Sequence, residues 1–120
     1  MWLPGTSRQE TALSLKRGDI YWVNLDPTVG SEIKKQRPCV LIGATPINDA
    51  RRTIVVLPLY SSGTPRPPLA IEVECLGRKA IAVCDQIRAI DKSRLQEKVG
   101  SLNPADLEKI EEGLRRVLSL

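Results

Sequence analysis

Apolar residues in this chain come in short runs rich in β-branched and aromatic side chains, and only the final stretch changes to a helical period. The runs are Ile20-Tyr21-Trp22-Val23-Asn24-Leu25, Pro38-Cys39-Val40-Leu41-Ile42, Thr53-Ile54-Val55-Val56-Leu57-Pro58-Leu59 and Ala80-Ile81-Ala82-Val83-Cys84. A further stretch, Leu69-Ala70-Ile71-Glu72-Val73-Glu74, alternates apolar with small or polar residues as a half-buried strand does. Turn chemistry separates them at Asn48-Asp49-Ala50-Arg51-Arg52, at the proline-rich Gly63-Thr64-Pro65-Arg66-Pro67-Pro68 and at Gly77-Arg78-Lys79. Five strands at such regular spacing predict a small antiparallel β-barrel. The last segment is different in kind. Asn103-Pro104 supplies an N-cap and a proline for the first helical position, and Leu107, Ile110, Leu114 and Val117 then recur at helical spacing. Gly113 costs that helix about 1 kcal/mol relative to alanine, which points to close packing against the sheet. Asp91-Lys92-Ser93-Arg94-Leu95 reads as a helical turn and Lys98-Val99-Gly100 as a short final strand.

A chain of 120 residues holds one domain, so several independent cores are ruled out. Residues 1–15 are polar and aperiodic and are expected to form a loose arm, leaving 16–120 as the domain. The segment 26–36 carries Pro27, Gly30 and clustered charge, and is expected to be a long exposed loop. No apolar run approaches the roughly 20 residues of a membrane span, and the first residues lack a basic and then apolar leader, so a cytoplasmic location is expected. Cys39, Cys75 and Cys84 are odd in number and lack CxxC spacing, which suits reduced core thiols better than a disulfide framework or a zinc finger. There is no histidine. That single absence removes Ser-His-Asp and Cys-His chemistry and HExxH zinc sites, leaving carboxylates, arginines, lysines and hydroxyls for any catalysis. A net charge of +4 favours an anionic partner.

Three places can carry chemistry. Arg37-Pro38 closes the long loop and opens a strand, so proline projects the arginine from a rigid edge; a plain surface arginine fits the same residues. Asp85-Gln86-Ile87-Arg88 ends an apolar strand with a carboxylate, an amide and a guanidinium, suited either to a catalytic role or to an Asp–Arg ion pair that fixes a turn. Tyr60-Ser61-Ser62-Gly63 puts three hydroxyls before a turn, suited to a phosphate or simply to the turn itself. Neither GxxxxGK[ST] nor GxGxxG surrounds Gly30. Aromatic residues make up 3% and phenylalanine is absent, which argues against base stacking along a sheet.

Together these segments resemble the MazF/PemK/Kid family of toxin endoribonucleases. The resemblance lies in Arg17-Gly18-Asp19-Ile20-Tyr21-Trp22-Val23-Asn24-Leu25-Asp26-Pro27-Thr28-Val29-Gly30-Ser31-Glu32, in Gln36-Arg37-Pro38, and in Cys84-Asp85-Gln86-Ile87-Arg88-Ala89-Ile90-Asp91-Lys92-Ser93-Arg94-Leu95. It runs from about Lys16 to the C-terminus. It implies a mainly β fold, an SH3-like small antiparallel barrel of the PemK/MazF/CcdB kind with a C-terminal helix, usually a homodimer. It also implies metal-independent, cofactor-free cleavage of single-stranded RNA, the ribose 2′-hydroxyl attacking the adjacent phosphorus to leave 2′,3′-cyclic phosphate and 5′-hydroxyl ends.

By position, Arg37 matches the family's catalytic arginine, Ser61 falls in the Ser/Thr element that ends the following strand, and Asp85 matches an aspartate that some members use as base. Glu32 matches an acidic loop residue near the RNA. Tyr60, Ser62 and Gln86 join it as RNA-binding candidates, as do Arg17, Lys34 and Lys35, which flank or lie in the loop; a solvated basic face is the alternative for these three. Two departures stand out: Tyr60 occupies a place where threonine is common, and Val83 a place where some members carry an arginine proton donor. The implied partner is a cognate antitoxin with an acidic, partly disordered tail. A barrel that has lost catalysis and only binds RNA or antitoxin is the competing reading.

Overall fold

A computed structural model describes residues 14–25 and 36–120. The strands are β1 (Asp19–Asn24), β2 (Gln36–Leu41), β3 (Thr53–Tyr60), β4 (Ala70–Cys75), β5 (Arg78–Val83), β6 (Arg88–Asp91) and β7 (Leu95–Ser101). Two helices complete the chain, α1 (Thr45–Ala50) and α2 (Pro104–Leu118), with 3₁₀ turns at Cys84–Gln86 and Lys92–Arg94. Every pairing is antiparallel, in the order β4-β5-β3-β2-β1-β7, with β6 added to β3. The sheet curls into a half-barrel closed by the C-terminal helix, the mainly β class expected from the spacing of the apolar runs.

All five expected strands and the short final one are present, and one more, β6, stands beside them. β6 covers residues whose four-residue pattern, Arg88-Ala89-Ile90-Asp91, is too short to show a period; only its pairing with β3 makes it a strand. The short strand expected at 98–100 is β7, seven residues long, and the expected helical turn is the 3₁₀ turn ahead of it. The turn expected at 48–52 begins instead as α1, with Pro46 in its first turn. Asn48 in α1 is 1% exposed, and its Nδ2 donates to Gly43 O (2.8 Å) and Leu15 O (3.0 Å), so it fastens the β2–α1 turn to the segment before β1. Residues 1–13 of the expected arm and 26–35 of the expected loop lie outside the described residues.

Strand alternation splits the core in two. Val23, Cys39, Leu41, Ile54, Val56 and Ile90 share one face of the sheet. Ile20, Val40, Leu57, Leu59, Ile71 and Ala82 lie in the second cluster, which Ile110 and Leu114 of α2 complete. The helix is held at its start as well as along its apolar stripe. Asn103 Oδ1 accepts from the Asp106 N–H (2.8 Å), and Asp106 Oδ2 accepts from the Glu74 N–H of β4 (2.8 Å). The first contact caps the helix and the second binds that capped end to the sheet.

The start of β1 is tied to the C-terminal part of the chain in the same way. Asp19, 4% exposed, accepts from the Ser101 hydroxyl (2.9 Å) and faces Lys98 Nζ at 3.4 Å. Among the described residues, no helix is long and apolar enough to cross a membrane.

Candidate active site

The β2–β3 register fixes the centre of the site. Cys39 is opposite Pro58, and two residues further along the same ladder Arg37 comes level with Tyr60, at the open end of the sheet. Side chains level with one another on an antiparallel pair share a face. The Arg37 guanidinium accordingly lies over the Tyr60 ring, 4.0 Å from its centroid, within the range of a cation–π contact. The Tyr60 hydroxyl donates to Gln86 Oε1 at 2.5 Å. Three elements thus meet: the start of β2, the end of β3 and the 3₁₀ turn that carries Asp85 and Gln86.

Arg37, Tyr60 and Ser61 line a cleft of about 680 Å³, together with Trp22 from β1 and Leu76 from the β4–β5 hairpin. Arg78 and Lys79 add two cations to its rim. The turn expected at 77–79 is in fact the two-residue loop Leu76-Gly77, both residues at positive φ (56° and 76°), so Arg78 and Lys79 are the first residues of β5. Because hairpin geometry decides where β5 begins, the sequence alone did not bring these side chains to the cleft. Trp22, Leu76, Arg78 and Lys79 are among the lining residues that sequence reasoning missed. The signal was there in part, since Leu-Gly between two alternating runs can form a hairpin.

Arg88 enters by its register. It is opposite Val56, which pairs with Leu41, so Arg88 shares the face of Arg37 and Cys39. Both guanidiniums act on the Cys39 thiol and pull its pKa down, but burial outweighs them and pushes it up to about 12. This end of the sheet therefore presents two fixed positive charges around a thiol that stays protonated. The Asp85–Arg88 ion pair weighed from the sequence is not formed, and Asp85 stands exposed on its turn. Among the described residues, no three His, Cys, Asp or Glu side chains gather in the way a metal site requires.

The remaining candidates do not join this group. Arg17 lies beyond the opposite end of β1, about 20 Å from Val23 at about 3.3 Å per strand residue. Its Nε donates to Ile42 O (2.9 Å) and its Nη1 pairs with Glu111 of α2 (2.5 Å), so it braces the fold. Ser62 is exposed, and Ser61 rather than Ser62 faces the cleft. Glu32, Lys34 and Lys35 lie outside the described residues.

A half-barrel with one terminal helix and an arginine-bearing cleft is an architecture that solved structures share. MazF from Deinococcus radiodurans superposes with a TM-score of 0.75 over 89% of this chain and 98% of that one, at 21% identity. An endoribonuclease in complex with its cognate antitoxin, from a mycobacterial species, gives a TM-score of 0.74 over 88% of this chain and 95% of that one, at 20% identity. In sequence, endoribonuclease MazF6 of Mycobacterium tuberculosis is 30% identical over 112 residues, 88% of this chain and 98% of that protein. Endoribonuclease EndoA of Bacillus subtilis is 32% identical over 111 residues, 88% and 96% respectively. The family model described as PemK-like, MazF-like toxin of type II toxin-antitoxin system matches residues 16–118, and the chain belongs to that family.

Proposed function

We propose that this chain, an endoribonuclease by family, cuts single-stranded RNA at specific short sequences without a metal ion. The observation that carries the reading is the Arg37 guanidinium held 4.0 Å over Tyr60 at a cleft that Ser61 also lines. In the reaction, the ribose 2′-oxygen forms a bond to the adjacent phosphorus, the bond from phosphorus to the 5′-oxygen breaks, and a 2′,3′-cyclic phosphate remains. Arg37 stabilises the charge that builds on the phosphorane, as a preorganised cation does best. It is not the base, because a guanidinium carries only donors and has no lone pair with which to accept the 2′-hydroxyl proton. Asp85 takes the 2′-hydroxyl proton and Ser61 donates a hydrogen bond to a phosphate oxygen. Since Val83 cannot protonate the departing 5′-oxygen, that proton comes from water at the exposed rim.

The protein acts on mRNA in the cytoplasm, as a homodimer whose groove an acidic antitoxin tail fills in competition with RNA. Purified protein in EDTA should cut single-stranded RNA and leave 2′,3′-cyclic phosphate ends. Activity that depends on added divalent metal overturns the mechanism, and RNA binding without any cutting returns the reading to a binding module. Titrating cognate antitoxin against labelled RNA should displace the RNA, and binding through several charges should weaken as salt rises, the Debye length being about 8 Å at physiological ionic strength. A ternary complex that still cuts would defeat the blocking model.

A further inference from the structure

We infer that Tyr60 and Gln86 position Arg37 for the reaction and do not themselves hold RNA. This rests on the ribonuclease reading and deepens it. Three contacts carry the inference. The Arg37 guanidinium stacks on the Tyr60 ring, 4.0 Å from its centroid. The Tyr60 hydroxyl, the group that would stand in for a threonine hydroxyl at a phosphate, is turned to Gln86 Oε1 at 2.5 Å. Gln86 lies on the short 3₁₀ turn Cys84–Gln86, whose Cys84 is buried against α2, so the acceptor is anchored in the body of the fold.

The direction of the hydroxyl decides between the two roles. A phenol whose single proton is given to an amide oxygen has none left to give to a phosphate oxygen. Its ring, meanwhile, offers the π face that an arginine side chain uses. An arginine has many rotamers and loses much side-chain entropy when it is fixed in one. A ring beneath the guanidinium meets part of that cost before RNA arrives, so the effect belongs in the chemical step more than in binding. Gln86 in turn fixes the plane of the ring. Tyr60 thus serves as a platform under the charge stabiliser, with no hydroxyl proton left for a phosphate contact.

The test combines single-turnover cleavage of a labelled RNA with NMR of the Arg37 side chain, in wild type and in Tyr60→Phe, Tyr60→Leu and Gln86→Ala proteins. Tyr60→Phe keeps the ring and is expected to cut within about threefold of wild type, with KM unchanged. Tyr60→Leu removes the platform and is expected to lower kcat about tenfold, in line with a cation–π contact, at an unchanged KM. The ring-current shift of the Arg37 Cδ protons should persist in Tyr60→Phe and vanish in Tyr60→Leu. Gln86→Ala should lower kcat by about threefold and broaden the Arg37 signals. In an Arg37→Lys background, Tyr60→Leu should cost far less than it does alone, which a general structural role would not produce.

A raised KM in Tyr60→Phe equal to that of Tyr60→Leu would show the hydroxyl on the RNA and overturn the inference. So would wild-type cutting by Tyr60→Leu, or an Arg37 signal indifferent to the ring. If wild-type protein leaves RNA intact, it is the ribonuclease reading that fails, a result separate from any of these.

Discussion

A Cβ on Gly113 of α2 would lie 2.9 Å from the Cys84 sulfur and 3.0 Å from the Pro68 carbonyl oxygen. The glycine is therefore the point where the terminal helix meets the 3₁₀ turn that presents Asp85 and Gln86. Helix and candidate site are in contact through one missing methyl group.

Gly113→Ala gains up to about 1 kcal/mol of helix propensity. It loses about 1–3 kcal/mol to overpacking, because a backbone carbonyl and a buried sulfur are poor at moving aside. The second effect wins, so the variant should melt roughly 5 °C below wild type. Because the turn is pushed outward, cleavage should fall as well. A thermal melt and a cleavage assay check both; a raised Tm would mean that the helix has room to shift.

Leu76 offers the opposite case. It is 69% exposed and sits at φ 56° in a two-residue hairpin loop followed by Gly77 at φ 76°. That conformation costs a leucine about 1–2 kcal/mol, whereas asparagine tolerates it and is the preferred first residue of such a turn. Leu76→Asn should stabilise the fold by about 1 kcal/mol in a denaturant titration with an unchanged m-value. Since Leu76 lines the cleft beside Arg37 and Ser61, the same variant should bind RNA no better than wild type.

Arg37→Ala should lower the cleavage rate by about 10²–10³, the usual effect of losing one preorganised donor to a developing charge. Its circular dichroism should match wild type, since the side chain lies at the end of the sheet and not in either core cluster. Ser61→Ala should cost less, as it removes one hydroxyl hydrogen bond and no charge. Undiminished cutting by Arg37→Ala would take this residue out of the mechanism.

Burial pushes the Cys39 thiol up to about 12 and the Cys84 thiol up to about 11, from an ordinary value of 9.0; for Cys84 the nearby Asp85 charge adds to the effect. Both should resist alkylation at pH 8 in the folded protein and react once it is unfolded, while the half-buried Cys75 reacts sooner. The unfolded chain releases these protons first as pH rises past 9, so stability is full below that point. It is lost between about 9 and 12, as the unfolded state alone ionises. Denaturant midpoints measured from pH 8 to 11 should decline, and Cys39→Ala should flatten the decline.

The parts of the fold carried by local pattern were legible in the sequence. β1 to β5 and α2 announce themselves by alternation, by turn residues and by the Asn103-Pro104 start. β6 was not legible, because four residues cannot show a period, and with β6 went the placement of Arg88. α1 was hidden because Asn48-Asp49 looks like turn chemistry until Asn48 is seen buried against Gly43 and Leu15. Of the site, Arg37 was marked by its proline and Ser61 by its position. The stack of Arg37 on Tyr60 depends on the β2–β3 register, which no short stretch of sequence states. Arg17 was misleading for a related reason: its charge is visible in the sequence, but its partner Glu111 is 94 positions away.

β1 takes one of its two neighbours from far down the chain, with Asp19 set against Ser101, 82 positions later. Pairings at such separation are slow to form, because the intervening chain must first be brought round. At about 5–20 residues per second, a ribosome needs roughly 4–16 s to reach β7 after making β1. α2, which seals the second core cluster, emerges later still. Until then one edge of β1 stays unpaired and the turn bearing Asp85 lacks the helix behind it. The turn that bears Asp85 is therefore among the last parts of the fold to be set, however early its own residues are made.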